Sequence, residues 1–211
     1  MEGLEHHEGI EGADVFIGLL CKLCMAEMTL DAFAGKGFKR KNTVVGMKPK
    51  ILSVFEVEKK DPAGAVFTGK TDFPEFAAMK KRVNDLDLTL IWKKGSIEAV
   101  FQKLETGAGS EEQIKMVHTA MKEVKEASAA AAEGIDLLLK KAKERARHKD
   151  LLKHKDKGGT EKDYEPSDSL EQSLTIWDNT ANHAKVKANH VLGRLEDGNI
   201  IQELEEIVNT Q

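Results

Sequence analysis

Two clusters of lysine and arginine are the residues of this chain whose type and spacing best suit chemistry, and that chemistry is the binding of phosphate groups. The first basic segment, residues 36–50, carries six cations, and no acid lies between Asp31 and Glu56. The second basic segment, residues 140–157, carries nine cations beside three acids. Because uncompensated cations repel one another, we expect a polyanion beside the first basic segment.

The type of polyanion depends on what accompanies the cations. Phe38 and Met47 interleave with the first basic segment, a pattern that suits a membrane surface, where apolar groups enter the headgroup layer, or nucleic acid. The candidate lipid-binding residues are Lys36, Lys39, Arg40, Lys41, Lys48 and Lys50. The second set, for lipid or RNA, is Lys140, Lys141, Lys143, Arg145, Arg147, Lys149, Lys153 and Lys155. The scarcity of Tyr and Trp argues against reading of single-stranded RNA by stacking.

Cys21 and Cys24 form a CxxC, which can close a redox disulfide or supply half of a zinc site. A four-ligand zinc site needs partners, and no second CxxC or HxxxH follows at a finger-like distance. Buried thiols on an apolar helix face are the interpretation we favour, so no metal is expected. His148 and His154 are interpreted as solvated helix residues.

Motifs typical of enzymes are missing from the sequence. It contains no phosphate-binding P-loop, no dinucleotide-binding GxGxxG, no GxSxG and no HExxH. We therefore expect no catalytic residues, no enzymatic activity and no cofactor.

The elements that must position the basic segments are predicted to be helices. Only 5% of the 211 residues are aromatic and only four are prolines, a composition that favours an all-α fold. Lys22 interrupts the apolar window from Ala13 to Met28, and the residues ahead of that window are acidic. A secretory signal and a membrane span are therefore not expected.

We predict two helical bundles joined by a linker. Residues 1–105 form the N-terminal helical domain, with a first helix at 13–34, a basic loop at 36–50 and a helix from Pro74 that breaks at Gly95-Ser96. Residues 106–211 form the C-terminal helical domain. It contains a long helix at about 111–156, an acidic linker at 158–168 and terminal helices over 169–208.

Several short motifs resemble the matrix protein of orthomyxoviruses, in the same order and at nearly the same depth in the chain. They are Phe33 to Lys36, Pro49 to Ser53, Gly64 to Thr68 with Pro74, Val100 to Leu104, Gly107 to Gly109, and the amphipathic helix from Glu111. The resemblance covers roughly residues 30–127. The basic helix of that family matches here only Lys115, Lys122 and Lys125, which makes the second basic segment a candidate for the same role.

The resemblance implies an all-helical, two-bundle structural protein that polymerises beneath a viral envelope. It implies anionic membrane lipids and further copies of the chain as partners, with viral ribonucleoprotein and RNA as additional ones. The implied location is the virion, the host cytoplasm and the inner face of the plasma membrane, with the nucleus as a further site. The alternative is a nucleic-acid-binding or nucleoprotein-associated adaptor that uses the second basic segment.

Overall fold

The computed structural model describes residues 17–20, 22, 37–56 and 73–210, and within these ranges all regular secondary structure is helical. The five principal helices are α1 (Lys48–Ser53), α2 (Pro74–Glu105), α3 (Glu111–Asp156), α4 (Asp168–Asp197) and α5 (Ile200–Asn209). Residues 17–20, 22 and 37–46 are also helical. The predicted all-α class is confirmed.

The long helix predicted at about 111–156 is α3, which spans 46 residues. Ser110 and Gln113 form a capping box at its start, with the Ser110 backbone N–H donating to Gln113 Oε1 at 2.6 Å. Glu111 and Glu112 lie in the first turn, where the helix dipole favours negative charge. The sequence signals for this helix therefore agree with one another.

The predicted basic loop at 36–50 is wrong over the residues that the structure describes. Residues 37–46 are helical, and α1 follows at once with Pro49 in its first turn, where a missing N–H costs no hydrogen bond. The reason is burial. The apolar residues of this stretch recur at alternating spacings of three and four and lie in the core: Val44, Met47, Ile51 and Val54.

The predicted helix break at Gly95-Ser96 is also wrong, because α2 runs unbroken from Pro74 to Glu105. A glycine inside a helix costs about 1 kcal/mol relative to alanine. Leu90 and Ile97 on either side of the predicted break are both buried, as is Phe101 further along. Burial of large side chains contributes about 1.5–3 kcal/mol each and outweighs the glycine.

The centre of the fold is α3, which packs against α2, α4 and α5. The buried apolar residues of the described chain form a single cluster that includes side chains from all five helices. The helices on the two sides of residue 105 are thus in extensive contact. The division into two bundles stays a prediction.

Residues after Asp156 follow the predicted course. The stretch 157–167 connects α3 to α4, and Ser167 caps α4 by accepting a hydrogen bond from the Leu170 backbone N–H at 3.3 Å. Asn199 adopts a left-handed conformation (φ 51°) between α4 and α5, a conformation that asparagine tolerates better than most residues.

Some predictions concern residues outside the described ranges. These residues are Cys21, Cys24, Lys36, most of the predicted first helix at 13–34, and the Phe33 to Lys36 and Gly64 to Thr68 motifs of the matrix-protein resemblance.

Candidate functional site

The first basic segment is neutralised in part from within the protein. Three of its cations form ion pairs with carboxylates that the fold brings from α2, α3 and α5. The pairs are Lys48 with Glu105 at 2.7 Å, Arg40 with Glu111 at 3.0 Å and Lys50 with Glu203 at 2.7 Å. The Lys41 ammonium also lies 3.5 Å from the backbone carbonyl oxygen of Gly107.

These ion pairs remove the reason for expecting a polyanion beside the first basic segment. The segment lacks acids in sequence, yet the tertiary fold supplies three of them. Among the candidates of this segment that are described, Lys39 is exposed and has no salt bridge to a described residue. Its assignment to lipid binding stays a prediction.

The second basic segment lies on the C-terminal third of α3, and part of its charge is also compensated. Three of its cations pair with acids from α2, α4 and the connection to α4. The pairs are Arg145 with Glu75 at 2.8 Å, Lys155 with Glu161 at 2.9 Å and Lys143 with Asp178. The pKa of Glu75 is lowered, first by a hydrogen bond from its own backbone and then by Arg145 and Lys141.

The remaining cations of this segment include three on the side of α3 that faces away from the core. At 100° per residue, this side lies opposite the buried residues Ile135, Ala142 and Ala146. We call it the outer face, and its exposed residues include Leu137, Lys140, Lys141, Glu144, Arg147, His148 and Leu152. None of its three cations has a salt bridge within the part of the chain that the structure describes.

The outer face also exposes apolar area. Leu137 is 56% exposed and Leu152 is 47% exposed, although leucine usually lies in a protein interior. The outer face therefore carries three cations between two exposed leucines, with one acid, Glu144, among them. Such a face can contact an anionic surface that also accepts apolar groups.

A second cationic feature lies on the opposite side of the same helix. The apolar core stripe of α3 ends at Ala146, and its positions are then taken by Lys149, Lys153 and Lys157 at four-residue intervals. These lysines line a groove of about 390 Å³ between the end of α3 and the beginning of α4. The ammonium of Lys149 lies 5.3 Å from the centre of the Phe73 ring, which also lines the groove.

The Asp150 carboxylate links α3 to the connection 157–167 beside this groove. Its two oxygens accept hydrogen bonds from the Ser167 backbone N–H at 3.0 Å, the Ser167 hydroxyl at 2.9 Å and the Tyr164 hydroxyl at 3.1 Å. The Ser167 backbone bond, followed by the two hydroxyl bonds, lowers the pKa of Asp150. Burial, and then the hydrogen bond to Asp150, raises the pKa of Tyr164. Asp150 thereby fixes the connection 157–167 against α3.

His154 lies beneath this connection rather than in solvent, so its interpretation as a solvated helix residue is wrong. A Cβ at Gly159 would come within 2.1 Å of the His154 Nε2, so a larger residue at that position would require the His154 ring to shift. The His154 Nε2 is buried and has no hydrogen-bond partner, and it lies 3.6 Å from a carboxylate oxygen of Asp163.

Sequence reasoning found part of this arrangement. It selected Lys149 and Lys153 as candidates but did not include Lys157, which lies in the same basic segment. The groove residues contributed by the connection and by α4 were missed: Tyr164, Ser169 and Ser173. They carry no local signal, because only tertiary folding brings them to α3.

The described residues contain neither a candidate metal site nor a candidate membrane-spanning helix. No group of three or more His, Cys, Asp or Glu side chains there could hold a metal ion. None of the described helices combines the length and the apolar character needed to cross a bilayer.

No protein-family model matches the chain, and no curated protein or solved structure matches it either. The resemblance to orthomyxovirus matrix proteins therefore stays a prediction based on short ordered motifs.

Proposed function

We propose that this chain is a structural, non-enzymatic matrix-type protein that binds an anionic membrane surface through the outer face of α3. The observation that carries the proposal is that Leu137 and Leu152 are exposed on the same face as Lys140, Lys141 and Arg147. These three cations have no salt bridge to any described residue.

The physics of membrane surfaces explains why this combination matters. Each Lys or Arg near an anionic surface contributes about 1 kcal/mol, and the interaction weakens as salt screens the charges. Leucine side chains that enter the headgroup layer add hydrophobic energy that salt does not screen. The two contributions together favour a helix lying in the plane of the membrane surface.

Nucleic acid is the competing partner for the same cations. RNA phosphates would attract them equally well, but exposed leucines add little to RNA binding, because bases stack on aromatic rings and on guanidinium groups. The leucines of the outer face therefore favour lipid over RNA.

Self-assembly into a layer under a viral envelope, with a bridge to ribonucleoprotein, is the part of the proposal that depends on the resemblance of residues 30–127. The structure adds one compatible feature. The exposed residues Glu205 and Glu206 on α5 give the C-terminal end an acidic surface that could meet a basic face of another copy.

The experiment that separates lipid from RNA replaces both leucines of the outer face with glutamine. In Leu137→Gln/Leu152→Gln, binding to phosphatidylserine vesicles should fall about tenfold or more, because two partly inserted leucines lose about 1 kcal/mol each. RNA retention at matched salt should not change, because no charge is altered. Flotation and filter retention measure the two activities.

The matched control changes two equally exposed apolar residues elsewhere, in Ile176→Gln/Val186→Gln on α4, which are 42% and 54% exposed. This variant should bind both vesicles and RNA as the wild type does. Unchanged flotation of the leucine variant would contradict the membrane proposal, and a parallel loss of RNA retention would favour the adaptor alternative.

A further inference from the structure

The groove between the end of α3 and the beginning of α4 is chemically different from the outer face. Lys149, Lys153 and Lys157 line one wall, and the hydroxyl-bearing residues Ser169 and Ser173 line the other. We propose that this groove is a binding site for a phosphate monoester, such as the phosphorylated headgroup of an inositol lipid. This inference deepens the proposed function, because it rests on membrane association for the lipid as the source of the phosphate.

The lysine row supplies the charge. Residues at four-residue intervals lie above one another on a helix, about 6 Å apart, so their ammonium groups can converge on one multiply charged group. Lys153 and Lys157 are exposed and have no salt bridge to a described residue. Lys149 is held over the Phe73 ring, which gives this member of the row a defined position.

The acids near the groove compensate part of this positive charge. Asp150 accepts three hydrogen bonds from Ser167 and Tyr164, and its negative charge also interacts with that of Lys153. Glu165 is the other acidic residue of the lining. Three lysines therefore face two carboxylates, which leaves an excess of positive charge.

His154 provides an independent observation. His154 lines the same groove, and its Nε2 is buried without a hydrogen-bond partner among the described residues; the nearest carboxylate oxygen, Asp163 Oδ1, lies 3.6 Å from it. A buried polar atom without a partner costs about 1–3 kcal/mol, so a ligand oxygen that accepts a hydrogen bond from it would be favoured.

The chemistry and size of the groove select the ligand class. The groups that line it include several hydrogen-bond donors: lysine ammonium groups, an imidazole and the Ser169 hydroxyl, whereas the Ser173 hydroxyl already donates to the Ser169 carbonyl oxygen at 2.9 Å. A dianionic phosphate monoester offers three acceptor oxygens, more than a carboxylate does. A volume of about 390 Å³ also admits more than a phosphate alone, and Phe73 and Trp177 in the lining provide apolar surface for a ring.

The first arm of the test uses soluble inositol trisphosphate and calorimetry. The wild type should bind it with a stoichiometry of one, and Lys149→Gln/Lys153→Gln/Lys157→Gln should bind about tenfold or more weakly, because three charged donors are lost. The matched control, Lys140→Gln/Lys141→Gln/Arg147→Gln, removes the same charge from the outer face and should bind like the wild type. Equal weakening in both variants would overturn the site, since it would show a nonspecific charge effect.

The second arm identifies the source of the phosphate. It compares two sets of phosphatidylcholine vesicles with equal total negative charge, one containing phosphatidylserine and the other phosphatidylinositol bisphosphate. The groove variant should lose the preference for the inositol lipid and keep its binding to phosphatidylserine, whereas the outer-face variant should lose binding to both. A wild type that binds the soluble headgroup but shows no vesicle preference supports the site, with a free phosphate compound as its ligand.

Two results would overturn the proposal. One is the absence of measurable binding of inositol trisphosphate to the wild type. The other is stronger competition for the groove by an oligoglutamate peptide than by the headgroup, which would identify an acidic protein segment as the ligand. Because Lys149 contacts Phe73, the double variant Lys153→Gln/Lys157→Gln repeats the test with that contact intact. If the outer-face variant binds phosphatidylserine vesicles as well as the wild type does, that result contradicts only the proposed function and not the groove site.

Discussion

Each basic segment has three cations in ion pairs, and the two segments differ in the cations that remain. In the first, Arg40, Lys48 and Lys50 pair with carboxylates from distant parts of the chain. In the second, the cations of the outer face point into solvent, and no described acid lies within salt-bridge distance of them. The number of cations in a sequence therefore does not determine how many are available to a partner.

The apolar residues of the two segments differ in the same way. Met47 of the first segment and the adjacent Ile51 lie in the core, although Phe38 of that segment is 64% exposed. Leu137 and Leu152, beside and within the second segment, are both exposed. Met47 and Ile51 thus contribute to the stability of the fold, whereas Leu137 and Leu152 are accessible at its surface. This comparison can be tested on the stability of the fold and on its binding.

The largest expected difference in stability is between Ile51 and Leu152. Ile51 is fully buried, so Ile51→Ala should lower the free energy of unfolding by about 2–5 kcal/mol through lost transfer energy and a residual cavity. The control Leu152→Ala, at an exposed site, should change it by about 0.5 kcal/mol or less. Urea denaturation measures both, and similar costs for the two variants would contradict the contrast between the segments.

An intermediate effect is expected at Asp150, the acid that ties the second segment to its neighbours. Asp150→Asn should cost about 1–3 kcal/mol, because an amide cannot accept all three hydrogen bonds. Since folding lowers the pKa of Asp150, its contribution is present at neutral pH and is lost as the pH falls below about 4. The stability difference between the wild type and the variant should shrink over that acidic range, and a constant difference would refute this role.

The smallest effect is expected from a single ion pair of the first segment. Lys50 and Glu203 approach to 2.7 Å with both side chains partly exposed. A double-mutant cycle with Lys50→Ala and Glu203→Ala should give a coupling energy of about 0.5 kcal/mol that decreases with added salt. Zero coupling at low salt would mean that this pair does not compensate the charge of Lys50.

The sequence predicts best where local signals agree. The start of α3 follows from Ser110 and Gln113, and its end from the glycines that follow the second basic segment. The sequence fails where glycine and proline stand next to buried residues, as around Pro49 and at Gly95, because tertiary burial outweighs a local preference for a break.

The candidate site was less predictable from the sequence than the helices were. Cation positions can be read directly from the sequence, but their counter-charges come from residues far away in the chain, such as Glu203 for Lys50. The exposed leucines of the outer face carried no signal either, because exposure depends on which helices pack against α3. Lys149 and Lys153 were predictable as candidates, whereas the opposite wall of their groove was not.

The most direct test of the account removes the same three charges from each segment and compares vesicle binding. Lys140→Gln/Lys141→Gln/Arg147→Gln should weaken binding to phosphatidylserine vesicles by about 100-fold, since three cations contribute about 1 kcal/mol each. Lys39→Gln/Arg40→Gln/Lys41→Gln, which also removes two lysines and one arginine, should weaken it by about tenfold at most, because Arg40 is already paired with Glu111. A larger loss of vesicle binding in the variant of the first segment would contradict the proposal, because it would assign the membrane contact to residues 36–50.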